Sequence, residues 1–380
     1  MKIAISCVPS AGGSGVLASE LGRGLARRGH EIHFVTSSMP HRFRSEPEPG
    51  IFFHEVRALH YPVFEHTPFT LALAAKLAEV WQNHRLDLFH VHYAIPHAAS
   101  AILARDMLAP CHSPIITTLH GTDVTLVGQD ASYKTMVRFC LEKSDAVTAV
   151  SDWLKDVTES VFKPTKPVQR IHNFADHELF RPAPRDPKFL PGDEGRKIFL
   201  HVSNFRPVKR VQDVVRTFAR AVATGIDGVL ALAGEGPDLS LALETAEREG
   251  VRDRIRLLGI VEDIPRIIPQ ADVFLFPSDG ESFGLAPLEA MLCEVPVVGA
   301  LAGGLPEVVE HGVTGFLHPV GDVEAMAASC AKPLMDPAMG RAFGRAGRER
   351  AIRLFSIDSI VGQYEDLYRE HARRRGGCCD

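Results

Sequence analysis

Two glutamates eight residues apart, Glu281 and Glu289, lie in a stretch that reads GESFGLAPLE. The apolar run DVFLFPS before them predicts a buried strand, and the run LAPLEAMLC that follows predicts a helix. Where that helix begins, the backbone amides of Gly284 and Leu285 could bind a phosphate. Glu289 has apolar neighbours, so its carboxylate needs hydrogen-bonding partners, and a vicinal diol would serve. The alternative is one capping glutamate and one solvated glutamate.

Three cations crowd another predicted strand-to-helix turn, in the stretch SNFRPVKR at residues 203–210. An arginine such as Arg206 can hold two phosphate oxygens, and a lysine such as Lys209 adds a point charge. A solvated basic turn is the alternative. The glycine-rich turn GEGP at residues 234–237 is weak evidence when taken alone. Hydrogen-bond donors for a phosphate, carboxylates that accept hydrogen bonds from a diol, and nearby cations together predict a site for a nucleotide sugar diphosphate.

The first half of the chain offers three more loops of this kind. The turn GGSG at residues 12–15 opens a predicted helix and could approach an anion, or it could be a tight turn without a ligand. His90 and His92 share one face of a predicted strand, either as a metal-binding pair or as a packed or substrate-facing pair. His120, next to a glycine, could reach a ligand while Asp123 tunes it, or it could be a satisfied loop histidine.

Short β-rich runs alternate with longer helical patterns along the chain, which predicts parallel α/β units. In the first half the predicted helices are 15–28, 70–84 and 97–107, and the predicted strands are 2–7, 31–37, 52–56, 88–92, 115–119 and 146–150. In the second half the predicted strands are 197–203, 228–234, 255–258, 272–277 and 296–299. Ligands bind at the carboxyl ends of the strands in such sheets, and the loops described above lie there.

The chain has 380 residues, too many for one ordinary core, and this length suits two domains. A stretch rich in proline and charge, residues 163–197, is interpreted as the linker region. We therefore predict an α/β protein with two doubly wound domains in tandem, residues 1–168 and 169–355. For the last predicted helix, residues 356–373, packing back on the first domain is an option that the sequence leaves open.

Composition and charge argue against several classes of protein. The net charge of −5 gives no global sign of nucleic-acid binding. No apolar run approaches the length of a membrane span, and the run at the N-terminus is too short for the core of a signal peptide. The seven cysteines are an odd number scattered through the chain, which favours a reduced cytoplasm over a disulfide framework. No Asp-x-Asp pair stands out as a metal clamp, so we predict no metal.

Together these motifs resemble those of the retaining GT-B glycosyltransferases of family GT4. The resemblance rests on motifs in the family order, namely GGSG, the turn with Arg206 and Lys209, GEGP, ESFGLAPLE, and GGLPEVV at residues 303–309. Longer strings, among them HVHYAIPHA, TTLHGTDVT and HVSNFRPVKRVQDVV, resemble one subgroup of the family more closely. The resemblance covers essentially the whole chain and implies two Rossmann-like domains that face a central cleft.

Members of that subgroup transfer N-acetylglucosamine from UDP-GlcNAc to the hydroxyl of L-malate. The resemblance therefore implies a retaining enzyme that gives GlcNAc-α-malate and UDP, the first step of bacillithiol biosynthesis. It implies small-molecule substrates, a homo-oligomer, and no cofactor, since UDP-GlcNAc is a substrate. Two alternatives stay open. One is a different acceptor, such as inositol phosphate, a lipid or a polysaccharide, and the other is a non-catalytic protein that binds UDP-sugars.

The resemblance also implies a role for each residue that matches a family motif. Glu281 would hold hydroxyls of the transferred sugar, Glu289 would bind the ribose, and the cations would neutralise the diphosphate. The implied catalytic residues are His120, Glu281, Arg206 and Lys209. The implied donor-binding residues are Gly15, Gly236, Phe283, Gly284, Leu285 and Glu289, and the implied acceptor-binding residues are Gly13, Ser14, Tyr93, Thr118 and Arg138.

One position departs from the family pattern. Many members have an arginine five residues before the lysine, where this chain has Asn204, and Arg206 stands only three residues before Lys209. It is therefore left open which cation touches which phosphate. No carboxylate is clearly placed as a covalent nucleophile, so we hypothesise a front-face displacement in which a phosphate oxygen takes the proton of the acceptor hydroxyl.

Overall fold

The computed structural model describes residues 1–9, 13–40, 43, 48–58, 67–110, 113–186 and 188–373. The chain divides into two compact units. Unit 1 comprises Met1–Asn173 and Ile357–Asp380, and unit 2 comprises Phe174–Ser356. The chain therefore leaves unit 1 once and returns to it for its last helix.

In the described part of the chain, unit 1 is built on a sheet of seven parallel strands. The strands are β1 (Lys2–Ser6), β2 (Glu31–Thr36), β3 (Ile51–Glu55), β4 (Leu88–His92), β5 (Ile115–Leu119), β6 (Ala146–Ala149) and β7 (Val168–Arg170). Their order in the sheet is β3-β2-β1-β4-β5-β6-β7, so the winding reverses between β1 and β4. Such a reversal is the switch point at which open α/β sheets bind ligands.

The helices that follow these strands are α1 (Gly13–Arg27), α2 (Phe69–His84), α3 (Ala99–Met107), α4 (Thr122–Thr125), α5 (Ala131–Lys143) and α6 (Asp152–Phe162). A π-helical turn, Ala94–Ala98, lies between β4 and α3.

Unit 2 repeats this design with a sheet of six parallel strands among its described residues. The strands are β8 (Lys197–Val202), β9 (Gly228–Ala233), β10 (Ile255–Gly259), β11 (Val273–Phe276), β12 (Val297–Ala300) and β13 (Gly315–His318). Their order is β10-β9-β8-β11-β12-β13, which puts the switch point between β8 and β11. The helices are α7 (Val211–Ala223), α8 (Leu239–Arg248), α9 (Ile264–Ile267), α10 (Leu285–Leu292), α11 (Leu305–Val308), α12 (Val323–Met335) and α13 (Pro337–Phe355).

The last helix, α14 (Ile357–Arg373), packs within unit 1. Val361 fills the space beside Gly24 of α1, where a Cβ atom on the glycine would lie 2.7 Å from the valine side chain. The side chains of α14 that are buried in unit 1 include Ile360, Val361, Tyr364, Leu367 and Tyr368.

The central strands are largely apolar runs because both faces of a doubly wound parallel sheet are covered there. β9 reads GVLALA, and all of its residues are buried. α7 is amphipathic, and its buried side contributes Phe218, whose ring centre lies 5.1 Å from that of Phe199 in β8. This core fixes the positions at which β8 and its neighbours end.

The predicted fold class, α/β with two doubly wound parallel sheets, is confirmed. Each predicted strand occurs within one residue of its predicted bounds. Two strands, β7 and β13, lie outside the predicted set. β7 also corrects the interpretation of residues 163–197 as a linker, because it pairs with β6 in the first sheet. β7 has only three residues, and the prolines and charged residues around it hide the pattern of a strand. The predicted domain boundary at 168/169 falls inside β7.

None of the helices in the described ranges combines the length and the apolar character that crossing a membrane requires.

Candidate active site

At the switch point of unit 2, two loops lie side by side. One follows β8 and carries Arg206 and Lys209, and the other follows β11 and carries Glu281. The backbone amide of Asp279 donates a hydrogen bond to the carbonyl of Val208 over 2.8 Å, which ties the loops together. Two motifs that are far apart in sequence therefore meet at one edge of the sheet.

Lys209 and Glu281 form an ion pair between these loops. Both side chains are about four-fifths buried, since 18% of Lys209 and 21% of Glu281 is exposed. The Lys209 ammonium also lies 5.3 Å from the centre of the Phe276 ring, a cation–π distance. An anion bound here would compete with Glu281 for the ammonium. It would release a carboxylate that can accept hydrogen bonds from hydroxyl groups.

The two arginines of the same turn differ in their partners. Arg210 precedes α7 and is bound to Asp213, with Nε 2.6 Å from Oδ2. Arg206 is exposed, and its guanidinium has no ion-pair partner in the ranges that the structure describes. Arg206 is therefore available to a ligand, whereas Arg210 is held in place by the fold.

Two neighbouring loops pack so closely against the loops of Lys209 and Glu281 that glycine is required at the points of contact. A Cβ atom on Gly236 would lie 2.0 Å from the carbonyl oxygen of Asn204, and one on Gly303 would lie 2.0 Å from that of Glu281. Gly303 also has a φ of +60°, in the left-handed region that favours glycine. Gly236, a predicted donor-binding residue, thus has a packing reason to be glycine that is independent of any ligand.

The loop after β11 leads directly into α10. Gly284 precedes the helix with a φ of 106°, and Leu285 is its first residue. The first amides of a helix have no partner within the helix, so they are donors for an anion. Glu289 follows one turn later and is half-buried. The Phe283 side chain packs in the core, where its ring centre lies 5.4 Å from that of Phe355.

At the switch point of unit 1, the ends of β4 and β5 lie beside the start of α1. The Tyr93 hydroxyl donates a hydrogen bond to Ser14 Oγ over 2.8 Å, and the Tyr93 ring centre is 5.1 Å from that of His120. Tyr93 has a φ of 83°, a strained value for a residue other than glycine. Ser14, Tyr93 and His120 thus come together as predicted site residues, with Gly13 and Gly15 on the turn of Ser14.

His120 is paired with the buried His92. The His92 Nδ1 and His120 Nε2 atoms are 2.8 Å apart, and His92 Nε2 is buried without a partner among the described residues. Because a buried N–H group is rarely left without an acceptor, we place the His92 proton on Nδ1, from which it is donated to His120. Burial lowers the pKa of His120 to about 3, so its ring is neutral and carries its own proton on Nδ1. That N–H group can donate to a ligand.

Asp123 holds this arrangement through the backbone. Its carboxylate accepts hydrogen bonds from the amide of Ala94 over 3.2 Å and from the amide of Gly121 over 3.1 Å. Burial raises its pKa to about 6, although these amides oppose the shift. Asp123 therefore fixes the backbone beside Tyr93 and His120 and forms no hydrogen bond to the imidazole that it was expected to tune.

Two predicted acceptor-binding residues lie apart from this group. Thr118 is buried, and its hydroxyl lies 2.7 Å from Thr148 Oγ1 and 2.8 Å from His90 Nε2. Arg138 is exposed on α5. Direct contact of these two residues with an acceptor stays a prediction, and the position of Thr118 in the sheet favours a supporting role.

Two family models match the chain, one in each half. The model for Glycosyltransferase Family 4 matches residues 11–179, and the model for Glycosyl transferases group 1 matches residues 183–350. N-acetyl-alpha-D-glucosaminyl L-malate synthase of Bacillus anthracis is 45% identical over 375 residues, which is 98% of each chain. The chain belongs to glycosyltransferase family 4.

Two solved structures share the fold of this glycosyltransferase. Anabaena Alr3699/HepE in complex with UDP-glucose superimposes with a TM-score of 0.83 at 21% identity, over 97% of this chain and all of that one. Sucrose-phosphate synthase from Thermosynechococcus elongatus gives a TM-score of 0.77 at 24% identity, over 97% and 98% of the two chains. At these identities the likeness shows the fold alone, the two Rossmann-like domains of the GT-B type.

Sequence reasoning missed a layer of support beneath the unit 1 site of this glycosyltransferase. The hydroxyl of Tyr368 lies 2.6 Å from His90 Nδ1, and that of Tyr364 lies 3.2 Å from Thr118 Oγ1. A usable signal was present. Both tyrosines lie on the apolar side of the last predicted helix, and a buried tyrosine hydroxyl needs a hydrogen-bond partner.

Proposed function

We propose that this glycosyltransferase moves N-acetylglucosamine from UDP-GlcNAc to the hydroxyl of L-malate, with retention of configuration. The products are GlcNAc-α-malate and UDP, and the reaction is the first step of bacillithiol biosynthesis. One observation carries the choice of substrates. It is the 45% identity, over 98% of each chain, to N-acetyl-alpha-D-glucosaminyl L-malate synthase of B. anthracis.

In this proposal unit 2 binds the donor. The diphosphate takes the Lys209 ammonium from Glu281, with which it is paired in the free protein. Arg206 adds a second positive charge, and the first amides of α10 add hydrogen-bond donors. Once released, the Glu281 carboxylate accepts hydrogen bonds from hydroxyls of the sugar, while Glu289 does the same for the ribose.

Unit 1 binds the acceptor. The hydroxyls of Ser14 and Tyr93, which are hydrogen-bonded to each other, offer donors and acceptors to the hydroxyl and carboxylate groups of malate. Arg138 is proposed to pair with one carboxylate, because a guanidinium binds both of its oxygens. Thr118 acts indirectly in this scheme, since its hydroxyl is engaged with the His90 ring.

The chemical step is a front-face displacement. The malate hydroxyl attacks the anomeric carbon on the face from which UDP departs, and a phosphate oxygen takes the hydroxyl proton. The bond from the anomeric carbon to malate forms as its bond to the phosphate oxygen breaks. His120 donates a hydrogen bond to a sugar hydroxyl near the reacting carbon. Lys209 and Arg206 stabilise the departing UDP, so we propose a step that needs no metal ion.

The same proposal includes a cytoplasmic homo-oligomer. Buried free thiols at Cys7, Cys140, Cys293 and Cys330 fit a reducing compartment. Burial raises the pKa of the Cys7 thiol to about 12, which keeps it protonated and unreactive. The homo-oligomer is proposed from the family resemblance alone, and light scattering on the purified protein would test it.

Product analysis tests the proposed reaction. After incubation with UDP-GlcNAc and L-malate, mass spectrometry should detect malate that carries one N-acetylhexosamine, and NMR should show an α linkage. D-malate is the matched control, and it should give little product. A β linkage would contradict retention. Transfer only to inositol phosphate or a polysaccharide would replace the acceptor, and binding of UDP-GlcNAc without turnover with any acceptor would leave a non-catalytic protein.

A further inference from the structure

Three histidines of unit 1 form a cluster away from the switch point. His33 lies on β2, His54 lies on β3, and His84 is the last residue of α2. One ring nitrogen from each histidine lies within 4.8 Å of those of the other two. His33 is buried, and the other two are half-buried, so the cluster is accessible from one side.

The sheet register brings the three rings together. His33 pairs in the parallel ladder with Phe52, and His54 lies two residues further along β3, so both histidine side chains occupy the same face of the sheet. The end of α2 then delivers the third ring, whose centre is 4.5 Å from that of His33 and 5.2 Å from that of His54.

The geometry of the cluster is near that of a tetrahedral metal site. The His33 Nδ1 and His54 Nε2 atoms are 2.9 Å apart, and the two rings are tilted by only 17°. Zinc–nitrogen bonds of about 2.0 Å in a tetrahedron put ligand nitrogens about 3.3 Å apart. Small side-chain rotations would therefore open the close pair and draw in the third ring.

A carboxylate supports the cluster from outside. Glu31 Oε1 accepts a hydrogen bond from His33 Nε2 over 2.9 Å, and Glu31 is itself 3.2 Å from the ammonium of Lys2. This bond fixes the proton of His33 on Nε2 and turns the lone pair of Nδ1 toward the other two rings. Histidine ligands of zinc commonly donate a hydrogen bond from their outer ring nitrogen to a carboxylate, which fixes the orientation of the ring.

Two of the three rings, His33 and His54, are buried enough for their pKa values to be lowered. Burial, together with the neighbouring His33 and His84 rings, lowers the pKa of His54 to about 4. Burial also lowers the pKa of His33, although the bond to Glu31 opposes this. A proton on one ring is disfavoured by the others, whereas a metal ion shared by three neutral imidazoles is not.

We propose that His33, His54 and His84 bind one Zn²⁺ ion, with water in the fourth position. The ion would join β2, β3 and the end of α2, which is a structural role distinct from sugar transfer. Imidazole nitrogens favour zinc over the hard cations Mg²⁺ and Ca²⁺. The competing explanation is a metal-free cluster in which His33 and His54 share a hydrogen bond and the His84 ring packs against them.

Metal binding by the full-length, tag-free protein tests the proposal. After chelation and dialysis, Zn²⁺ titration should give one ion per chain, and Co²⁺ should give the visible absorption bands of tetrahedral coordination. His54→Ala and His84→Ala should each weaken zinc binding by at least tenfold, on the order of what outer-shell changes alone can cost. Both sites are half-buried, so these variants should fold, which circular dichroism checks.

His311→Ala, in unit 2, is the matched control and should bind zinc like the unchanged protein. Glu31→Gln should weaken binding by about tenfold or more and keep one ion per chain. Absence of bound zinc, or equal zinc affinity in the His54 and His84 variants and the control, would overturn the proposal and leave a metal-free histidine cluster. Sugar transfer is measured in the same samples, because it should persist in the zinc-free protein.

Discussion

Lys209→Ala should lower kcat/KM for sugar transfer by about 30-fold to 150-fold, which corresponds to roughly 2–3 kcal/mol of transition-state stabilisation. The ammonium is about four-fifths buried, so water screens it less than it screens a surface charge. A unit charge about 4 Å from it would interact by about 4 kcal/mol at an effective dielectric constant of about 20. Binding of the diphosphate breaks the ion pair between Lys209 and Glu281, and this loss offsets part of the favourable interaction with the phosphate charge.

Initial rates of UDP release at varied UDP-GlcNAc measure this loss, with Arg210→Gln as the matched control. Arg210 is the next cation in the same turn, but Asp213 binds its guanidinium. Asp213 also keeps Arg216 at 2.8 Å, so the control leaves no unpaired carboxylate. The control should lower kcat/KM by less than about threefold, as expected for a charge whose partner lies within the fold.

Equal losses in the two variants would mean that only the general positive potential of the turn matters, and the assignment of Lys209 would be refuted. A Lys209→Ala enzyme as active as the unchanged one would refute it as well. Adding Glu281→Gln to Lys209→Ala gives a further check. Residues in direct contact are coupled, so the double variant should lose less than the product of the two single losses.

Three further predictions concern stability and the unit 1 site. Burial lowers the pKa of His90 and of His120 to about 3, from 6.5 in the unfolded chain. Their contribution to the free energy of unfolding is therefore complete above pH 6.5 and is lost as the pH falls from there toward 3. Urea unfolding should show that the free energy of unfolding falls by up to about 1.4 kcal/mol per pH unit for each histidine, with Asp123 offsetting part of the loss. An unchanged free energy of unfolding between about pH 7 and about pH 5 would contradict the burial of neutral rings. Tyr93→Phe removes one hydroxyl and should raise the KM for L-malate about fivefold to tenfold, since a lost hydrogen bond costs about 1 kcal/mol or more. The KM for UDP-GlcNAc should change less, which steady-state kinetics with each substrate varied would show. A change confined to the KM for UDP-GlcNAc would place Tyr93 at the donor instead. Gly303→Ala places a Cβ atom 2.0 Å from a carbonyl oxygen at a φ of +60°, so thermal unfolding should show a loss of at least about 1 kcal/mol, and wild-type stability would show that this loop can relax.

Much of the site could be predicted because its motifs follow buried strands. Parallel strands bring their carboxyl ends to one edge, so a motif that begins where an apolar run stops is placed by the sheet itself. The loops of Lys209 and Glu281 meet for this reason, since β8 and β11 are neighbours across the switch point. The same logic groups Ser14, Tyr93 and His120.

The rest depends on register and on partners that are distant in sequence. Lys209 and Arg210 are adjacent cations, and only the fold shows that one pairs with a loop glutamate and the other with Asp213. Thr118 follows a strand-end pattern like the other motifs, yet its side chain enters a buried network completed by α14. The cluster of His33, His54 and His84 could not be predicted from the sequence for a similar reason, because the register of two strands and the end of a helix bring it together.

UDP release from UDP-GlcNAc by the purified protein, measured with and without L-malate, is the most direct test of the proposed reaction. D-malate and inositol phosphate serve as control acceptors. Transfer to L-malate should give rapid UDP release that requires L-malate, with only slow hydrolysis of UDP-GlcNAc in its absence. Release that another acceptor supports and L-malate does not, or no release beyond hydrolysis with any of them, would contradict it.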